Sequence, residues 1–375
     1  MSVLLLTTVS CTIWVVILLL PWRPWSVRES LDSSFQKSKD VTQLLDLSDI
    51  TTLIPARNEA STICASLQSL AEQGQGLNII LVDDQSTDHT TELAQQSAIP
   101  NLKIIKGNPL PGGWSGKLWA LEQGRAHVKT SKLLLLDADI NLQPGILAAL
   151  LNKMQEDNRQ FVSLMVSLRM EGFWERLLMP AFVYFFKLLY PFHLVNSPRL
   201  PWLAAAAGGC ILLETHILEK IGAFGSLREA LIDDCALARK VKQQGYRTWL
   251  GLTHSAHSLR KYQNLSEIWN MVARTAFTQL NYSAILLLLA TIIMVLAYWL
   301  PVIGLFFANT RLISIIALCA MMVGYIPVLR YYQCSHFWLF ALPVIGTLYL
   351  AMTWSSALRY WGGQRSAWKE RVYDR

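Results

Sequence analysis

No charged side chain occurs from Met1 to Pro21, and none from Tyr282 to Thr310, from Leu312 to Leu329, or from Tyr331 to Leu358. A membrane-crossing helix needs about 20 apolar residues, so these stretches are four candidate spans. The first lacks the basic start and small-residue exit of a cleaved signal peptide and runs into Pro21-Trp22-Arg23, which favours an uncleaved anchor over 1–21. Between the spans, 22–281 is long enough for one domain with its own core, followed by hydrophobic segments over 282–358 and a basic tail over 359–375.

Only 16% of residues are charged, against about 25% in a soluble domain, and the net charge is +7. Seven basic and two acidic residues lie beyond position 282, which leaves the central domain at +2. A nucleic-acid-binding face therefore finds little support. The tail mixes Trp361, Trp368 and Tyr373 with Arg and Lys, as suits a membrane interface. Arg23, Arg28, Lys37 and Lys39 follow the first span while nothing basic precedes it. That bias puts the central domain on the cytoplasmic side of the inner membrane, although three later spans would leave the tail outside. The six cysteines form no CxxC pair or metal-type spacing and read as reduced thiols.

Within the domain, Ile50 to Pro55 and Leu77 to Val82 are short apolar runs suited to buried strands, and Leu102 to Lys106 and Lys132 to Leu136 continue as strands. Ala60 to Gln73, Thr87 to Gln96 and Lys117 to His127 read as the helices between them. The alternation predicts an α/β fold with a mostly parallel sheet, whose ligands bind at the carboxyl ends of the strands. Acidic residues cluster there: Asp83 and Asp84 after the second strand, Asp137 and Asp139 after the fourth. Helix capping accounts for Ser86, Thr87 and Asp88 but not for two adjacent carboxylates at a strand end. Asp137 and Asp139, on alternate positions of an extended segment, can turn toward one hard cation.

No G-x-G-x-x-G follows the first strand, and Pro111-Gly112-Gly113-Trp114-Ser115-Gly116-Lys117-Leu118 lacks the Walker A spacing, so dinucleotide oxidoreductases and P-loop NTPases drop out. That loop can still offer N–H groups and the Lys117 ammonium to a diphosphate, or be a plain connecting turn.

IPARNE at 54–59, VDDQSTD at 82–88, GGWSGK at 112–117, DAD at 137–139 and the pair Asp233-Asp234 together resemble glycosyltransferase family 2 with the GT-A fold. With its hydrophobic flanks the chain looks most like the hopene-associated members of the membrane-bound, lipid-glycosylating branch, with carotenoid and ceramide glycosyltransferases as relatives. The resemblance implies a Rossmann-like catalytic domain with N- and C-terminal transmembrane helices, a nucleotide-sugar donor, UDP-linked for preference, and a membrane lipid acceptor. It implies that Pro55, Arg57, Glu59 and Asp84 line the nucleotide pocket, with Asp83 or Asp84 on the base and Lys117 nearby. Asp137 and Asp139 look like the DxD motif, which binds ribose and a divalent metal, Mg2+ or Mn2+. Asp234, second of Asp233-Asp234, resembles the general base. Arg274 matches the arginine of a (Q/R)xxRW motif whose other positions are absent here, which points to transfer of a single sugar rather than to processive synthesis.

The chemistry fits without the analogy: a departing diphosphate needs a cation, and an acceptor hydroxyl needs a carboxylate on the opposite face for in-line inversion. The acidic pair also has a simpler role as the negative start of a helix over Cys235 to Gln244. Ala204 to Cys210 has no bulky side chain and admits either a substrate or a close-packed strand. Phe173 to Val195, apolar but interrupted by charges and prolines, reads as a helix in the membrane interface. His254 and His257 lack the further ligands zinc wants. Two other classes compete with an inverting glycosyltransferase: a non-catalytic membrane scaffold retaining a nucleotide-sugar pocket, and a nucleotidyltransferase on a similar sheet.

Overall fold

The computed structural model describes residues 3–33, 45–228, 230, 232–363, 366–368 and 371–373. Lys37 and Lys39, part of the charge bias after the first span, lie outside them, as do Arg365, Lys369 and Arg375 of the basic tail.

Eight strands form one sheet: β1 (Ile50–Ala56), β2 (Asn78–Asp83), β3 (Leu102–Lys106), β4 (Lys132–Leu136), β5 (Ile140–Leu142), β6 (Phe161–Ser167), β7 (Cys210–Glu214) and β8 (Thr248–Ser258), ordered β3-β2-β1-β4-β7-β6-β8-β5. β1 pairs in parallel with β2 and β4, and β2 with β3; β7 enters antiparallel between β4 and β6, and β5 antiparallel at the edge. This is the GT-A-like arrangement expected, with β7 and β5 as the antiparallel exceptions.

Every residue of β1 is buried, because helices cover both faces of the sheet. Ile63–Ala71 and Ile146–Glu156 pack on one face; Gly116–Arg125, Thr215–Lys220 and Asp233–Gln243 pack on the other. The helix expected from Ala60 begins at Ile63, because the Ala60 N–H donates to Asp88 Oδ2 and holds the chain in a loop first. Ser115 caps Gly116–Arg125, accepting a hydrogen bond from the Leu118 N–H. Since β1, β2 and β4 run the same way, the segments after all three emerge at one edge, where the acidic pairs gather.

Among the described residues three helices are long and apolar enough to cross a membrane, Ala284–Gly304, Arg311–Tyr331 and His336–Trp361; Val3–Leu19 is a shorter apolar helix of 17 residues. Their outward faces leave Ile285 77%, Ile292 56% and Leu312 71% exposed, which in water would be a liability and in lipid is solvation. Val3–Leu19 is built into this bundle: the Trp14 ring is buried, donates its indole N–H to the Ala297 carbonyl at 2.7 Å, and meets Tyr298 edge-on.

The segment expected at the interface forms helices Phe173–Leu189 and Phe192–Val195. The first is wedged between sheet domain and bundle. Its Leu178 carbonyl accepts a 2.8 Å hydrogen bond from Tyr349 Oη, and Tyr184 packs edge-on against Tyr325. In the tail, Ser366–Trp368 pairs antiparallel with Arg371–Tyr373.

Candidate active site

At the carboxyl edge of the sheet, a cleft is lined by Pro55, Lys117, Asp137, Gly208, Asp233 and Asp234 over an apolar floor that includes Leu135, Ile211 and Leu237. Pro55 comes from β1, Lys117 from the capped start of Gly116–Arg125, Asp137 from the end of β4, and the acidic pair from the first turn of Asp233–Gln243. Five of the residues singled out in the sequence thus share one cavity.

The Lys117 ammonium lies 2.6 Å from Asp137 Oδ1, with 21% and 33% of the two side chains open to the cleft. Burial by itself would discharge the lysine, but the carboxylates of Asp137, Asp233 and Asp234 outweigh it and hold the ammonium above its usual pKa. For Asp137, burial pushes the carboxyl up and Asp139 adds to this, while Lys117 opposes. Asp234 is pushed up to about 6, first by burial and then by Asp233, with Lys117 working against them. Its carboxylate also accepts the Cys235 N–H at 2.7 Å and sits where the helix dipole favours an anion, so capping and a site role coexist.

Gly208 explains how these groups come together. A Cβ there would lie 3.2 Å from Asp234 Oδ2 and 3.3 Å from Lys117 Nζ, tighter than ordinary contact, so a glycine lets both polar ends meet over bare backbone. Its neighbour Gly209 offers its carbonyl to the Asp137 N–H. The sequence flagged Ala204 to Cys210 for its small side chains without identifying which position mattered.

Asp139 lies beside the cleft, at the β4–β5 turn, where Oδ2 accepts a 2.6 Å hydrogen bond from Ser258 Oγ of β8. Asp137 Oδ2 and Asp139 Oδ1 have no protein partner among the described residues, whereas no cluster of three or more His, Cys, Asp or Glu able to hold a metal occurs there. Two carboxylates, with the remaining ligands left to phosphate and water, are what a hard cation such as Mg2+ accepts, so the residues fit one.

The remaining candidates form a second group along the tips of β1 and β2. Arg57 Nη1 donates to the carbonyls of Asp84 and Gln85, the Glu59 N–H to Thr90 Oγ1, and Asp83 Oδ1 accepts the Ser86 N–H. Asp83 and Asp84 are buried. These contacts shape the loops flanking the cleft rather than its lining. Arg274 sits apart as well, exposed at the C-cap of Leu265–Ala273. His254 uses Nδ1 on Asp32 at 3.1 Å and Nε2 on the Tyr331 carbonyl at 2.9 Å, fastening β8 to a bundle helix.

Residues 51–222 match the family model for Glycosyl transferase family 2. A 4,4'-diaponeurosporenoate glycosyltransferase from Staphylococcus aureus (strain USA300) is 32% identical over 107 residues, 28% of this chain and 28% of that protein, and the homologue from strain MRSA252 is 33% identical over the same length. The match thus spans little more than a quarter of those relatives. Among solved structures, the mannosyltransferase PcManGT from Pyrobaculum calidifontis, in complex with GDP-Man and Mn2+, superposes with a TM-score of 0.55 at 18% identity, over 94% of this chain and 98% of that chain. At that identity the likeness shows the fold.

Proposed function

We propose that this protein is an inverting, membrane-bound glycosyltransferase that moves one sugar from a nucleotide sugar, UDP-linked for preference, to a hydroxyl or carboxyl of a membrane lipid such as a hopanoid or another isoprenoid. The observation that carries the reading is a single cleft in which the Lys117 ammonium and the Asp234 carboxylate, the latter of raised pKa, converge over Gly208. The S. aureus relative supports an acidic lipid-like acceptor as one possibility by its name alone, and the P. calidifontis structure supports a nucleotide-sugar donor with a divalent metal by its fold.

On this reading the Lys117 ammonium meets the diphosphate of the donor, and Pro55, Arg57, Glu59, Asp83 and Asp84 frame the nucleotide. Asp137 and Asp139 would hold a Mg2+ or Mn2+ ion, which when bound supplies positive charge to the departing diphosphate. Asp234, with Asp233 raising its basicity, accepts the proton of the acceptor hydroxyl as the new C–O bond forms. Arg274, exposed at the C-cap of Leu265–Ala273, is the arginine that the resemblance assigns to the diphosphate. The anchor over 1–21, the catalytic domain over 22–281 with its 173–195 joint, the spans over 282–358 and the basic tail then hold the cleft against the cytoplasmic face that supplies the acceptor.

Incubating the purified full-length chain with labelled nucleotide sugars and total lipid, and identifying labelled lipid by mass spectrometry, tests this. Lipid-linked sugar with released nucleoside diphosphate is expected. Released pyrophosphate would make the protein a nucleotidyltransferase, and donor binding without consumption would make it a scaffold.

A further inference from the structure

A polar contact between the end of Phe173–Leu189 and the chain leading into the helical bundle is not used by the reaction described above. Tyr190, the C-cap of Phe173–Leu189, donates its phenol hydrogen to Gln279 Oε1 at 2.5 Å. Gln279 closes the short helix Ala276–Gln279, which links the amphipathic helix Leu265–Ala273 to the membrane helix beginning at Ala284. Both residues therefore hang from elements anchored in the bundle rather than from the sheet.

The Tyr190 ring packs beside the segment that carries the acidic pair. It packs in one apolar cluster with Ile232 and Cys235, the residues that bracket Asp233-Asp234, and lies 5.1 Å from the Phe186 ring. Burial raises the phenol to about 12, and its hydroxyl is close enough to feel the charges of Arg239 and Asp234. The Gln279 side chain is half-buried, and its Nε2 has no hydrogen-bond partner among the described residues. With Oε1 engaged by Tyr190, the amide is locked so that its two N–H donors face away from the phenol.

We infer that Tyr190 and Gln279 position the acceptor head group on the bilayer side of Asp234, Gln279 Nε2 donating to the acceptor oxygen and Tyr190 fixing the amide that does so. The inference rests on the glycosyl-transfer reading and deepens it. The chemistry favours a donor at this place. An N–H directed at a lone pair of the acceptor hydroxyl leaves the O–H hydrogen free for Asp234. The oxygen then bonds to the anomeric carbon while the bond to the diphosphate breaks. The same donors hold a carboxylate acceptor, which brings no proton. Tyr190 is a positioning residue, because it acts through Gln279.

The test uses the full-length protein in nanodiscs, with the lipid extract that the wild type glycosylates, and compares Tyr190→Phe, which keeps the packed ring, with Gln279→Ala. Losing one neutral hydrogen bond is worth roughly a tenfold change. Each variant is expected to raise the acceptor KM about tenfold while the donor KM stays within twofold, and the double variant to be no worse than Gln279→Ala alone. Wild-type acceptor KM in both variants overturns the inference. Donor and acceptor KM rising together overturns it too, since that marks general loosening of the site. A wild type that consumes no nucleotide sugar brings down the glycosyl-transfer reading itself, and with it this one.

Discussion

Replacing Asp234 by asparagine is expected to stabilise the protein while removing transfer to a hydroxyl acceptor. The carboxyl titrates at about 6 rather than at its usual 3.8, so its anion is about 3 kcal/mol less comfortable in the folded cleft than in water. Asparagine keeps the shape and the acceptor oxygen for the Cys235 N–H while shedding the charge. Part of the gain is returned, because Lys117 loses one of three carboxylates that offset its burial. A net gain of about 1–2 kcal/mol remains, or roughly 2–8 °C in Tm for a domain of this size.

The sign fixes the pH dependence. A raised carboxyl contributes stability below its unfolded pKa, and that contribution disappears as pH climbs through about 6. Wild type and Asp234→Asn should therefore melt together near pH 4 and separate above pH 7, with the variant higher. Intrinsic tryptophan fluorescence melts at both pH values in nanodiscs, beside a transfer assay, measure this. A variant melting lower than wild type at pH 8, or shifted equally at both pH values, would refute the view that this anion is held at a cost. Transfer surviving in a stabilised variant would instead identify the acceptor as a carboxylate, for which no base is needed.

With a hydroxyl acceptor, kcat of the wild type should fall about tenfold per pH unit below 6, and a flat profile to pH 4.5 would remove Asp234 as the base. Gly208→Ala, whose methyl presses on Asp234 Oδ2 and Lys117 Nζ, should cut kcat at least about tenfold with little change in melting; unchanged kcat would show that the two groups can yield. Chelation with EDTA is expected to suppress transfer and added Mg2+ or Mn2+ to restore it, measured as labelled lipid formed. Trp14→Ala empties a fully buried site and leaves the Ala297 carbonyl without its donor, so melting should reveal a loss of about 3 kcal/mol or more; a negligible loss would mean that Val3–Leu19 is not integral to the bundle.

What the sequence could reveal follows from how each feature is encoded. β3 and β4 match their expected ranges to the residue; for β4 the reason is that a continuous apolar run is a local signal, while β3 keeps an apolar core of Ile104 and Ile105 between two lysines. The acidic clusters were visible for the same reason: two carboxylates at a strand end stand out against the capping residues around them. Strand order is a different kind of information. Nothing within Cys210–Glu214 says that it lies antiparallel between β4 and β6, because the burial pattern of an inner strand is the same in either direction. The same limit hid the pairings that build the site. Ser258 meets Asp139 across 119 residues, Gln279 meets Tyr190 across 89, and Gly208 matters only because Lys117 and Asp234 converge on it from separate helices. A lone glycine, serine or glutamine carries no periodicity and no unusual charge, so its role exists only once the sheet has assembled. The residues with costly chemistry were therefore legible early, because burying a charge leaves a mark in the local sequence. The residues that make that chemistry geometrically possible cost almost nothing locally and became identifiable only in three dimensions.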